Sequence, residues 1–110
     1  MNKSASACGP IAESKRFCVN VLSEKQQDLA NQFLNVESTR RLDLCNWTRL
    51  ATGAPAIEGS LVSFDCEVDQ VIMSGTHAIF IGRVVVASLP EAASPLLYFD
   101  GAYSGMSAVA

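Results

Sequence analysis

The sequence predicts a mainly β, antiparallel domain with one or two short helices. Three observations carry that expectation. Between Ser60 and Met73 apolar and polar residues alternate, with Val62, Phe64, Cys66 and Val68 set against Ser63, Asp65, Glu67 and Asp69. A period of two marks a strand with one buried and one solvated face. From Ala78 to Val86 nearly every residue is apolar, and Ile79, Ile81, Val84, Val85 and Val86 are β-branched, which favours extended backbone. Apolar character on both faces predicts a central strand covered on both sides. Ser74-Gly75 separates the two runs, so Ser60–Met73 and Thr76–Ala87 are expected to form a hairpin.

Composition narrows the class. The chain has 110 residues, enough for one domain and one core. About half of it is apolar, with 49% hydrophobic and 17% charged residues, which places it among globular rather than disordered chains. The net charge is −3 with no basic stripe, which argues against a nucleic-acid surface. The longest apolar run, Ala78–Leu89, is too short for a membrane span and contains Arg83. No apolar stretch follows Lys3, so no signal peptide is expected and a cytoplasmic location is. The four cysteines, Cys8, Cys18, Cys45 and Cys66, lack metal-ligand spacing and read as free thiols, with no metal expected.

The remaining elements follow in chain order. Met1–Ser14 begins with small polar residues: Asn2, Lys3, Ser4, Ala5, Ser6, Ala7 and Cys8. Their size leaves backbone N–H groups approachable, and two hydroxyls with one lysine suit a phosphate. The same composition also suits a frayed terminus. Pro10 is placed to open a short helix reaching about Ser14. Arg16–Leu22 reads as a mostly buried strand. Ser23 with Gln26 makes a capping-box pattern, and a helix is expected from Glu24 to about Leu34. Its apolar face is Leu29, Ala30, Phe33 and Leu34, packed as a cover on the sheet.

Asn35–Gly59 has no clean period. A long irregular stretch in a small domain tends to be functional or disordered. Arg40-Arg41 reads either as a solvated pair or as a phosphate grip. Trp47 is expected to plug the end of a barrel rather than stack on a ring. The carboxylates Asp65, Glu67 and Asp69 are expected on a wet face, where nothing would tune them for acid–base work. Leu96–Phe99 reads as a last strand, followed by the turn Asp100-Gly101. Tyr103 is expected to dock back, with Ser104–Ala110 a loose tail. His77 is the only histidine and stands at the mouth of the apolar strand. Alone it reads as a surface or hydrogen-bonded histidine, or as part of a ligand site.

Several segments, taken in order, carry a resemblance. They are Asn2-Lys3-Ser4-Ala5-Ser6, Phe17-Cys18-Val19-Asn20-Val21-Leu22, and Gln27-Asp28-Leu29-Ala30 with Phe33. Gly53-Ala54-Pro55, Gly59-Ser60-Leu61 and Phe64-Asp65-Cys66-Glu67-Val68 follow, then Gly75-Thr76-His77 with Ile79-Phe80-Ile81-Gly82, and Leu96-Leu97-Tyr98-Phe99. Together they resemble the flavin reductase-like family of FMN-binding split barrels, which includes the reductase components of two-component flavin monooxygenases. The resemblance implies a Greek-key, antiparallel split β-barrel. It also implies one domain over residues 1–110, matching about the C-terminal two-thirds of the family's length and therefore incomplete at the N-terminus. The implied function is NAD(P)H-dependent reduction of FMN or FAD, with reduced flavin supplied to a monooxygenase. The alternative is a non-catalytic flavin-binding module or an inactive fragment.

The resemblance also implies a homodimer with the flavin in the groove between subunits; the charge and the short apolar run already lead us to expect no nucleic-acid or membrane partner. Asn2, Lys3, Ser4, Ala5, Ser6, Ala7, Cys8 and Ile11 match the segment holding the flavin phosphate and ring edge. Arg40 and Arg41 match a segment that reaches the distal phosphate or adenine end. Gly75, Thr76 and His77 match the family's Gly-Asp-His motif at the nicotinamide site, with Thr76 in place of the acid. His77 is then the catalytic candidate, orienting and polarising rather than moving a proton. Tyr98 and Tyr103 would border the same pocket.

Overall fold

A computed structural model describes residues 1–89 and 94–106 of the chain. Two helices and seven strands are present among them: α1 (Cys8–Ser14), β1 (Arg16–Val21), α2 (Gln27–Leu34), β2 (Trp47–Arg49), β3 (Pro55–Ile57), β4 (Val62–Ser74), β5 (His77–Ser88), β6 (Leu97–Phe99) and β7 (Ala102–Ser104). Short 3-10 segments at Glu24–Gln26 and Ser38–Leu44 complete it. All strand pairings are antiparallel. The main sheet has the order β1-β4-β5, and β2-β3 and β6-β7 are separate ribbons.

The predicted hairpin is β4–β5, closed between Ser74 and His77. Gly75 sits at φ 56 in this two-residue loop. A type II′ turn requires positive φ at that first central position, and glycine accepts it without steric cost. The capping box forms too: the Ser23 N–H donates to Gln26 Oε1 at 2.9 Å. Gln26 Nε2 in turn donates to the Glu58 carbonyl at 3.0 Å, so the cap ties the helix entry to a distant loop. The helix starts later than expected, since Glu24–Gln26 is 3-10. Leu34 also leaves the apolar face and stands exposed. The partner of α2 is the 3-10 segment rather than the sheet expected from its pattern: Arg41 Nε donates to the Phe33 carbonyl at 3.0 Å.

The expectations for β5 and β4 are also corrected. β5 is not central; β4 is, and β5 lies at the edge of the three-stranded sheet. Only its first residues gain a further neighbour, through the Asn2–His77 bridge. Ile79, Ile81, Val84 and Val85 are exposed. An apolar run records that both faces of a strand are built for cover, and periodicity alone does not say whether the residues described here provide it. The second correction concerns β4. Ser63 and Asp65, expected on its wet face, are buried, and Asp65 is 0% exposed. The loop before β3 folds over that face and supplies the donors. Glu67 and Asp69 are exposed as expected.

Trp47 is half-buried in β2, and the Arg49 guanidinium lies 4.9 Å from its ring centroid. That is a cation–π contact within the β2–β3 ribbon. Tyr103 docks onto Tyr98 edge-on, with ring centroids 5.2 Å apart. Its hairpin includes Ser104, which belongs to β7 rather than to a tail; Gly105 and Met106 follow outside any strand, and 107–110 lie outside the described residues. The buried apolar side chains are small: Cys8, Ala54, Ala56, Val62, Cys66 and Ala78. No helix among the described residues is long and apolar enough to cross a membrane.

Candidate functional site

The site begins where the first residues of the chain meet the tip of the β4–β5 hairpin. Met1 and Ala78 exchange backbone hydrogen bonds at 2.7 Å, the Met1 ammonium donating to the Ala78 carbonyl and the Ala78 N–H to the Met1 carbonyl. The Lys3 N–H donates to the Thr76 carbonyl at 2.9 Å. Asn2 and His77 are thereby antiparallel neighbours. Beyond this bridge the chain turns. Asn2 Oδ1 accepts from the Ser4 N–H at 2.9 Å and from Ser4 Oγ at 2.7 Å. Short polar side chains bend the backbone in this way by replacing a backbone acceptor. Ala5 N–H to Asn2 and Cys8 N–H to Ala5 continue the turns into α1. The terminus is therefore tied to the sheet, not frayed.

A groove of about 630 Å³ opens beside α1. Ser6, Ala7, Pro10, Ile11 and Ser14 form one wall; Arg16, Phe17 and Cys18 of β1 lie along it; Ser38, Thr39, Arg41 and Leu42 stand at another side; Gly53, Ala54 and Pro55 face α1. The walls are made of small side chains, with hydroxyls and two guanidinium groups among them. The volume lies within the roughly 300–1,000 Å³ usual for small-molecule and cofactor sites.

The sequence-predicted residues divide into groups. Ser6, Ala7, Ile11 and Arg41 line the groove. Asn2, Gly75, Thr76 and His77 cluster at the hairpin tip, joined to the groove by Lys3, Ser4 and Ala5. Cys8 is buried at the start of α1. Arg40 is separated from Arg41: it is exposed and lies 3.9 Å from Asp43, one turn away. Tyr103 belongs to the β6–β7 hairpin and is not among the groove-lining residues. His77 is exposed, and Thr76 Oγ1 lies 3.0 Å from its Nδ1. A hydroxyl at that distance holds one ring nitrogen and fixes the ring's orientation.

Sequence reasoning did not mark Arg16, Phe17, Cys18 or the Gly53-Ala54-Pro55 wall as groove residues. The turn signal at Gly53 was visible; its position across from α1 was not. Cys18 is an inert member of the lining. Burial, then the charge of Asp65, then Cys66 push its thiol up from 9.0 to about 11. Burial raises Cys45, and burial with Asp65 raises Cys66. Raised values keep the thiols protonated and poorly nucleophilic. No cluster of His, Cys, Asp or Glu among the described residues is arranged to hold a metal.

Comparison with known proteins identifies the fold and lineage. The family profile for the flavin reductase like domain matches residues 1–107. The chain belongs to the flavin reductase-like family. It is similar to the FMN reductase (NADH) RutF of Serratia proteamaculans, 33% identical over 107 residues, covering 96% of this chain and 61% of that protein. Among solved structures, it is similar to a nitrilotriacetate monooxygenase component B homologue from Mycobacterium thermoresistibile. That match has a TM-score of 0.86 and 35% identity, and covers 96% of this chain and 60% of that one. BorF, the flavin reductase component of a bacterial two-component tryptophan halogenase, superposes with a TM-score of 0.84 at 31% identity, covering 99% and 71%. The chain thus spans less than two-thirds of the length of RutF. The antiparallel sheets are those of the flavin reductase split barrel, the fold expected from the sequence.

Proposed function

We propose that this chain is the flavin- and nicotinamide-binding part of an NAD(P)H:flavin oxidoreductase. The observation that carries the reading is the Asn2–His77 bridge, which joins the matched flavin segment to the matched nicotinamide motif. The groove also suits a flavin. Its walls at Ser6, Ala7, Gly53 and Ala54 are low enough for a flat ring, and its hydroxyls and Arg41 suit phosphate. When bound, the cofactors supply the reactivity, with hydride leaving nicotinamide C4 and arriving at flavin N5.

The chain's own residues hold and align. In this reading the N–H groups and hydroxyls of Asn2–Ala7 bind the phosphate end. Ile11 and Phe17 offer apolar contact, and Arg41 meets a distal phosphate. His77, steadied by Thr76, orients the nicotinamide through Nε2, and Gly75 lets the chain approach closely. Holding two rings in register converts a bimolecular step into an effectively unimolecular one. All these residues act as one domain. The name of the relative RutF supports FMN and NADH as the first pair to test.

The partner in this reading is a flavin-dependent oxygenase, as the names of the monooxygenase and halogenase components suggest. A homodimer is also proposed, because Ile72, Ile79 and Ile81 leave an exposed apolar surface on one face of the β4–β5 hairpin beside the site. A cytoplasmic location fits free thiols and a supply of reduced nicotinamide.

The test is a titration with FMN followed by fluorescence, together with flavin-dependent NADH oxidation. Absence of both rejects the proposal; binding without oxidation leaves a non-catalytic flavin carrier. His77→Ala should raise the KM for NADH about tenfold, the effect of losing roughly one hydrogen bond, with a smaller change in FMN affinity. Equal loss of both would remove His77 from the nicotinamide site.

A further inference from the structure

Asp65 is 0% exposed in the middle of β4. Burying a carboxylate is costly unless its oxygens are well satisfied. Here one residue satisfies both. The Thr52 N–H donates to Oδ2 at 2.8 Å and the Thr52 hydroxyl to Oδ1 at 2.5 Å. The same hydroxyl accepts from the Ala54 N–H at 3.2 Å. In the following peptide group, Arg16 Nη1 donates to the Thr52 carbonyl at 2.7 Å. The Thr52 backbone is thus held from both directions. Immediately after it, Gly53 takes φ 87, and Gly53, Ala54 and Pro55 become the groove wall opposite α1.

We propose that Asp65 is a positioning residue for the flavin groove: through Thr52 it fixes the Gly53–Pro55 wall at the spacing from α1 that a bound flavin requires. The inference rests on the flavin-binding reading of the groove. Asp65 does not line the groove and acts only through the loop it anchors. Two arrangements separate this role from general stabilisation. The charge is directed at a single loop residue, and that residue's hydroxyl is itself the acceptor that shapes the turn at Ala54. Thr52 should therefore tolerate serine, which keeps the hydroxyl, and not valine, which keeps only the shape.

The experiment measures FMN dissociation constants, with binding stoichiometry, for the full chain and four variants. Thr52→Val should weaken FMN about tenfold, the effect of losing one buried charge-assisted hydrogen bond, at unchanged stoichiometry. Thr52→Ser should stay within about twofold of the parent protein. Asp65→Asn keeps an acceptor for the Thr52 N–H but not for its hydroxyl, and should fall between them; it carries the test if Thr52→Val does not fold. Val62→Ala, destabilised in the core away from the groove, should keep the parent affinity despite a lower Tm. The proposal is overturned if the folded Thr52 and Asp65 variants bind FMN like the parent, or if Val62→Ala weakens binding as much as they do. A parent protein that takes up no FMN overturns the flavin reading itself, and the positioning role with it.

Discussion

The two halves of β4 have similar apolar content and opposite fates. Val62–Cys66 is packed: Val62, Ser63, Asp65 and Cys66 are buried, and β1 runs beside it from Val21 to Arg16. Beyond Val68 the strand loses that neighbour: Arg16 pairs with Glu67, and the Val68 N–H donates to the Lys15 carbonyl just before β1 begins. Asp69–Ser74 continues with β5 alone, and Val71, Ile72 and Met73 there are exposed, Met73 by 59%. The difference shows that apolar sequence does not by itself make a core; a third layer must arrive. A lone two-stranded hairpin is marginal in water; the ribbon's further ties are the bonds from Met1–Lys3 to Thr76–Ala78 at its tip.

The sharpest way to break the packed half is Gly82→Ala. A Cβ there would run into the Phe17 ring and lie 3.1 Å from Cys66 Cβ. Overpacking of that kind costs about 1–3 kcal/mol, and chemical denaturation should report it. In the ribbon, Ile72→Lys with Ile81→Lys should change the unfolding free energy of the separated chain by less than about 0.5 kcal/mol per site. Sedimentation should meanwhile show a proposed dimer converted to monomer. A large loss of monomer stability would mean that the ribbon is packed after all.

The smallest effect is a pH dependence confined to the packed half. The Cys18 thiol is raised from 9.0 to about 11 by burial, Asp65 and Cys66. A raised folded-state value favours the protonated form. Its contribution to stability is therefore complete below pH 9 and lost as pH rises towards 11. Thermal denaturation across that window should fall less steeply for Cys18→Ala than for the parent protein. Equal slopes would remove Cys18 as a source of the alkaline loss.

Local chemistry was legible in the sequence, and layer order was not. The Ser23–Gln26 cap, the Ser74-Gly75 turn and the extent of strand β4 depend on near neighbours, and each appears close to where the residues put it. β2, β3 and β7 are three residues each, too short to show a period. Asp65 was misplaced because alternation assigns an acid to water. Its partner Thr52 lies in a loop thirteen residues away, and no periodicity links them. At the site, the sequence pointed to Ser6, Ala7, Ile11 and Arg41, which share the groove. It could not separate Arg41 from Arg40, since only the fold turns one inward and sets the other beside Asp43.

Between Val68 and Gln70 the pairing with β5 shifts, leaving Asp69 as an extra residue where the packed half gives way to the ribbon. Beyond that bulge both sides of the ribbon carry aliphatic groups, so sliding one arm past the other by a single position would expose little new oil to water. The tight glycine loop and the backbone bonds from Met1 and Lys3 to Ala78 and Thr76 therefore pin the hairpin tip, and with it the placement of His77.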